Sequence, residues 1–289
     1  EPDGKFIWTY KESMVPETQP KSLLVVGSGA IGIEFASFYN ALGTKVTVLE
    51  LADRILPVED EEISKFAAKE FKRQGLDIKT GSTIASLKKG KNEVEVEIEN
   101  SKTKKKETIK VERVISAVGI VANIEDIGIE ASRIELDRGH IVTDNNCETK
   151  EPGVFAIGDV AAAPWLAHKA SHEAIAAVEY IAGLGSHPMK KENIPGCTYS
   201  SPQIASVGLT EAAAKEQCID IKVGRFPFVG NGKAIALGKD SGMIKTIFDA
   251  NTGELVGAHM VGAEVTELIQ GFVLAKTFEA TEEDIMRTC

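Results

Sequence analysis

The sequence Ser22-Leu23-Leu24-Val25-Val26 is a short apolar, partly β-branched run that stops at Gly27, and it predicts a buried parallel strand. From Ala30, the residues Ile31, Phe35, Phe38 and Leu42 step by four, three and four, which predicts a helix with that stripe as its apolar face, ending at Gly43. Lys45 to Glu50 predicts a second strand, so the three elements form a βαβ unit. The residues before Ser22 carry Pro2, Pro16 and Pro20 and little periodicity, and they read as an irregular lead-in.

A second helix is expected from Asp60 to Gln74, with Ile63, Phe66, Ala67 and Phe71 on one side and acidic residues in its first turn. Between Asp77 and Lys110 apolar and charged residues alternate, most clearly over Val94 to Ile98, which predicts an antiparallel meander with a solvated face. The lysines from Lys102 to Lys106 sit at its turn between Glu99 and Glu107. That flanking favours a solvated hairpin over a targeting or nucleic-acid patch. Val114 to Val118 returns as a buried strand ending at Gly119. Beyond it, a strand is expected at Val154 to Ile157 and a helix from Ala167 to Ala182. Short strands then follow at Ile204 to Val207, Ile221 to Phe226, Ala234 to Leu237, Met243 to Phe248 and Leu255 to Val261, with a helix after them. The boundaries implied are 1–121, 122–189 and 190–289, an α/β chain closing on an α+β domain.

Composition narrows the classes. With 289 residues, 43% hydrophobic and 26% charged, the chain is an ordinary globular one, which excludes disordered, collagen-like and disulfide-scaffold proteins. Lys and Arg number 33 against 43 Asp and Glu, a net charge of −10 and the wrong sign for a phosphate-backbone partner. Cys147, Cys197, Cys218 and Cys289 include no short pair suited to zinc or a redox disulfide. No apolar run reaches about 18 residues and no signal peptide is visible, so a cytoplasmic protein without metal or membrane partner is expected. Position 1 is not Met and Cys289 follows a charged helical stretch with no stop signal, which suggests a piece of something longer.

Gly27-Ser28-Gly29-Ala30-Ile31-Gly32 is a G-x-G-x-x-G element placed after a strand and at the start of a helix, where dinucleotide binding requires it. Gly27 permits the tight turn, Gly29 admits a pyrophosphate to the backbone, and Gly32 lets helix and strand pack closely. Glu50 ends the second strand, 18 residues after Gly32. It suits an adenosine ribose and would repel a 2′-phosphate, which favours NAD over NADP. Arg54 is either solvated or within reach of a phosphate. Glu34 is either an exposed helical carboxylate or points along the cofactor path. Gly158-Asp159 follows the expected strand at Val154, where an Asp binds ligand hydroxyls or simply caps a turn. Pro164-Trp165-Leu166-Ala167-His168-Lys169-Ala170 opens a helix whose amides suit an anionic ring edge, and a helix N-terminus disfavours His168 as an imidazolium base.

Taken together, GSGAIGIEFA, Glu50, SAVG at 116–119, TKEPGVFAIGDV, PWLAHKA and YSSPQIASVGLTE resemble the pyridine nucleotide–disulfide oxidoreductase family across essentially the whole chain. The resemblance implies a Rossmann-type NAD domain, a central FAD-contacting region and a dimerisation domain in a homodimeric flavoprotein. LAHKA favours the branch in which dihydrolipoamide, carried on the lipoyl domain of a 2-oxo acid dehydrogenase or glycine cleavage complex, is oxidised with NAD through FAD. By resemblance Gly27, Ser28, Gly29, Ala30, Ile31, Gly32 and Glu34 line the NAD site, Glu50 takes the ribose, and Ile84 and Gly119 lie against the nucleotide. Asp159 would bind the FAD ribityl chain, and Trp165, Leu166, Ala167 and His168 the flavin's pyrimidine edge. The family's FAD glycine motif and C-x-x-x-x-C pair would precede Glu1, and its His-Glu pair would follow Cys289, so this chain is expected to be inactive alone. The alternatives are another flavin disulfide reductase, an NADH oxidase, or a non-catalytic nucleotide-binding or dimerisation module.

Overall fold

Leu23, Leu24 and Val25 are fully buried, as a strand covered on both faces requires. The computed structural model describes residues 1–185 and 188–289, and these divide into two compact units, one of residues 1–118 with 195–289 and one of residues 119–194. In the first unit the parallel sheet holds β1 (Ile7–Trp8), β2 (Ser22–Val26), β3 (Lys45–Leu49), β4 (Asp77–Lys79) and β8 (Arg113–Ser116) in the order β1-β8-β2-β3-β4. The helices α1 (Tyr10–Met14), α2 (Ala30–Ala41) and α3 (Glu61–Arg73) connect its strands. Strands β5 (Ser82–Lys89), β6 (Val94–Asn100) and β7 (Lys106–Val111) form the expected antiparallel meander. Around its turn, Lys106 pairs with Glu97 at 2.8 Å and Lys104 with Glu99 at 3.3 Å.

Three expectations for this region change. The lead-in is ordered: β1 pairs with β8, and α1 is closed by a Thr9–Glu12 capping box. Asp77–Lys79 is a fourth parallel strand, not the start of the meander. The third change concerns α2, which buries Gly32, Ile33, Ala36 and Tyr39 and leaves Ile31, Phe38 and Leu42 exposed. A Cβ on Gly32 would stand 2.0 Å from the Gly27 carbonyl oxygen, so the Gly32 side of the helix is the one that can press against the turn. Its i+1, i+4 and i+7 neighbours follow it inward, and the bulkier stripe is turned out.

The second unit contains a small hairpin of β9 (Leu136–Asp137) and β10 (His140–Ile141), and the helix α4 (Ala167–Ile181). Among the described residues Val154 to Ile157 forms no strand; its pairing stops at one isolated bridge, between Glu148 and Phe155.

The rest of the first unit is an antiparallel sheet in the order β11-β12-β15-β14-β13. Its strands are β11 (Gly196–Thr198), β12 (Gln203–Gly208), β13 (Ile221–Pro227), β14 (Met243–Asp249) and β15 (Leu255–Gly262), and its helices are α5 (Glu211–Glu216), α6 (Gly232–Ala236), α7 (Val265–Thr277) and α8 (Glu282–Arg287). The expected strand at Ala234 to Leu237 is instead α6, because the Asn231 side chain accepts the Ala234 amide and starts a helical turn. Ile204 and Val261 join the core of the parallel sheet, and α7 lies over β12 and β15. No helix among the described residues is long and apolar enough to cross a membrane.

Candidate dinucleotide and flavin sites

The turn after β2 is shaped by glycine at two points for reasons internal to the protein. Gly27 has φ +97°, and a Cβ there would lie 2.3 Å from the Ala117 carbonyl oxygen; Gly32 meets Gly27 as described. Gly29 differs. Its φ is −66°, and a Cβ there would meet nothing within 4 Å, so the fold does not itself demand glycine at that position. Open space at Gly29 faces the start of α2, where no side chain caps the helix and Ala30 and Ile31 are exposed. An uncapped 12-residue helix with clear space before it suits an anion at its positive end.

Glu50 lies across this turn, with its backbone held between β4 and β5: its amide donates to Lys79 and its carbonyl accepts from Ser82. Its carboxylate accepts three hydrogen bonds. The Ser28 amide and hydroxyl donate to Oε2 at 2.9 and 2.6 Å, and the Ala52 amide donates to Oε1 at 2.8 Å. The part played by Ala52 and the Ser28 hydroxyl has no signature in sequence spacing. Arg54 is half-buried, and its guanidinium donates to the Pro57 carbonyl at 2.9 Å. Glu34 is half-buried and accepts the Tyr199 amide at 2.8 Å, a contact across 165 residues that helical periodicity cannot reveal. Ile84 lines an open cleft of about 410 Å³ with Val114 and with Val26 and Ser116, the carboxyl ends of β2 and β8.

In the second unit, Asp159 lies exposed in a short 3-10 turn directly after Gly158, whose φ is +72°. Glu173 ties this turn to α4. It accepts the Gly158 amide at 2.8 Å and pairs with buried Lys169 at 2.8 Å, an i,i+4 spacing that was available in the sequence. Leu166 is the N-cap residue of α4 and supplies no side-chain cap; Ala167 and His168 follow exposed in the first turn. The Trp165 indole donates to the Ala161 carbonyl at 3.1 Å and stacks on His140 with ring centroids 4.7 Å apart. Gly119, with φ +140°, is exposed at the start of this unit.

None of the four cysteines is disulfide-bonded, and burial pushes the Cys147 and Cys197 thiols above the ordinary range, which disfavours the nucleophilic thiolate. No group of three or more possible metal ligands occurs among the described residues.

The chain resembles known proteins along its whole length. The chain is 56% identical over 289 residues to the dihydrolipoyl dehydrogenase of Rhizobium etli, covering all of this chain and 60% of that protein. It is 52% identical over 287 residues to the dihydrolipoyl dehydrogenase of Zymomonas mobilis, covering 99% of this chain and 61% of that one. The chain thus spans about three fifths of the length of the curated relatives it matches. Among solved structures, LpdA from Mycobacterium tuberculosis superposes with a TM-score of 0.90 at 26% identity, over 100% of this chain and 62% of that one. The HOCl-induced flavoprotein disulfide reductase RclA from Escherichia coli, at 24% identity, shares the fold with a TM-score of 0.90, over 100% of this chain and 65% of that chain. The family model for pyridine nucleotide-disulphide oxidoreductases matches residues 2–174, and the model for that family's dimerisation domain matches residues 194–289. With the glycine turn, the acidic strand end and the antiparallel terminal sheet all within those matches, the chain belongs to the pyridine nucleotide-disulphide oxidoreductase family.

Proposed function

We propose that this chain is the NAD-binding, central and interface portion of a dihydrolipoyl dehydrogenase, a homodimeric flavoprotein that oxidises dihydrolipoamide with NAD. FAD and NAD, when bound, supply the electron and hydride carriers. This chain's residues bind and orient them. The α2 N-terminus and Gly29 take the pyrophosphate of NAD, Glu50 accepts an adenosine ribose hydroxyl, Glu34 lies toward the reacting end, and Ile84 and Gly119 bound the nucleotide. Asp159 takes the ribityl hydroxyls of FAD. Trp165, Leu166, Ala167 and His168 border the flavin's pyrimidine edge, where the positive end of α4 favours negative charge on the ring. Cys147, Cys197, Cys218 and Cys289 are all free, so none offers a disulfide to a dithiol, and the dihydrolipoyl group is taken as substrate from the likeness to dihydrolipoyl dehydrogenases. Such a group is carried by the lipoyl domain of a 2-oxo acid dehydrogenase or glycine cleavage complex.

The observation that carries the reading is the pairing of Gly29, which faces open space at an uncapped helix, with a fixed acidic acceptor at Glu50. Titration of NADH into the chain, followed by nicotinamide fluorescence, is expected to give saturable binding with one site per chain. The product of the complete coding region is expected to form NADH from dihydrolipoamide and NAD. Absence of saturable binding would overturn the nucleotide reading, and turnover of a different disulfide with no activity on dihydrolipoamide would move the assignment elsewhere in the family.

A further inference from the structure

The Glu50 carboxylate is held chiefly by one residue. A carboxylate offers about four acceptor positions. Ser28 occupies both positions of Oε2, through its amide at 2.9 Å and its hydroxyl at 2.6 Å, while the Ala52 amide takes one position of Oε1 at 2.8 Å. Ser28 is fully buried, and its carbonyl is engaged as well, accepting the Leu56 amide at 2.9 Å. The hydroxyl therefore sits in a rigid frame and points at a single acceptor. A free Glu side chain rotates about three bonds, and immobilising it removes most of that freedom. What remains open on the carboxylate is one position on Oε1.

We propose that Ser28 is a specificity-determining residue, one that fixes the preference for NAD over NADP by pinning the charge of Glu50. The proposal rests on Glu50 being the ribose acceptor. A carboxylate that can pivot relieves its repulsion of a 2′-phosphate by turning away; one held at Oε2 by two donors from Ser28 cannot, so the full penalty falls on the phosphorylated cofactor. Ser28 itself acts as a positioning residue through Glu50 and needs no contact with the nucleotide. Of the six residues in the glycine-rich turn it is the one whose side chain can do this, since Ala30 and Ile31 carry no polar group and the other three are glycines.

The test is a double-mutant cycle read as the ratio of NADH to NADPH dissociation constants, by nicotinamide fluorescence, in the unmutated chain, Ser28→Ala, Glu50→Ala and the double variant. Ser28→Ala removes the 2.6 Å hydroxyl bond and leaves the two amide bonds, so it is expected to shrink the preference for NADH about three- to tenfold, mainly by tightening NADPH. Glu50→Ala should shrink it at least as far, and adding Ser28→Ala to Glu50→Ala should then change the ratio less than about twofold. Ser28→Cys keeps the shape with a weaker donor and should fall between Ser and Ala. If Ser28→Ala does not fold, as read by far-ultraviolet circular dichroism, the cycle is run with Ser28→Cys. An unchanged ratio in the Ser28 variants, or the same change with and without Glu50, removes this proposal alone. A ratio unmoved by Glu50→Ala removes the ribose reading and the proposal with it.

Discussion

Lys245, only 2% exposed, holds its ammonium 2.9 and 3.0 Å from the two carboxylate oxygens of Asp60, a residue 185 positions away that is equally buried. Lys245 stands on β14, and Asp60 is the N-cap of α3, accepting the Glu62 amide at 3.0 Å. The same ammonium lies 2.9 Å from Glu62 and 2.7 Å from Glu211, and Arg225 makes a two-pronged pair with Glu62. One buried cation thus fastens α3, the helix that follows β3, to the antiparallel sheet. Burial alone would raise the Asp60 pKa; the Lys245 ammonium and the Glu211 amide outweigh it and hold the carboxyl below the usual range.

Lys245→Met is therefore expected to destabilise the chain by about 3–5 kcal/mol, because it leaves Asp60 charged and buried without its cation. Urea denaturation would show this as a lower midpoint with an unchanged slope. A midpoint within error of the parent would mean that water or Arg225 replaces the ammonium.

Stability should fall steeply in acid. Arg225 holds the Glu62 carboxyl down at about 2, and Lys215 with Lys245 holds Glu211 at about 2, against an ordinary 4.5. A folded pKa below the unfolded one gives stability that is complete above about pH 4.5 and is lost as the pH drops toward 2. Burial also keeps His259 neutral below its ordinary 6.5, so a shallower loss begins near that pH. Urea midpoints measured from pH 7 to pH 2.5 should show the decline, and Arg225→Gln should flatten its acid end. A midpoint independent of pH over that span would contradict the cluster's role.

The two glycines of the turn should separate binding from folding. Gly29→Ala adds a methyl that meets no protein atom, so stability should stay within about 1 kcal/mol of the parent while NADH affinity drops about tenfold or more. Gly32→Ala places a Cβ 2.0 Å from a backbone oxygen and should cost at least about 1–3 kcal/mol. Thermal melts and NADH titrations on both variants check this; unimpaired NADH binding by Gly29→Ala would place the phosphates elsewhere.

Residues 190–289 are expected to carry the two-fold contact. On α7, Gly271, Leu274 and Phe278 form an exposed stripe along and just past the helix, with open space before Gly271. An exposed apolar stripe of this kind suits a two-fold contact with a second copy of the chain. Sedimentation should give a dimer for the chain and a monomer for Leu274→Asp with Phe278→Asp; equal masses would move the interface to another face.

The sequence by itself determined the elements whose pattern is local. A continuous apolar run such as Leu23 to Val26 must be buried on both faces, Gly27 and Gly32 answer a steric closeness that only glycine tolerates, and the alternation of Val94 to Ile98 makes one face wet. The place of Glu50 beside that turn was legible for the same reason, since it directly follows β3. Tertiary structure alone decided the rest. Two apolar stripes compete on α2, and the sheet selected the one beginning at Gly32 because the other is too bulky to approach the turn. Ala234 to Leu237 is apolar enough for a strand, but the Asn231 side chain accepts the Ala234 amide and caps it into a helix. Ser28 meeting Glu50, Glu34 meeting Tyr199, and Lys245 gathering Asp60, Glu62 and Glu211 join positions 22 to 185 residues apart. No periodicity encodes such contacts, because their geometry is fixed by how strands pair and helices pack and not by the spacing of residues along the chain.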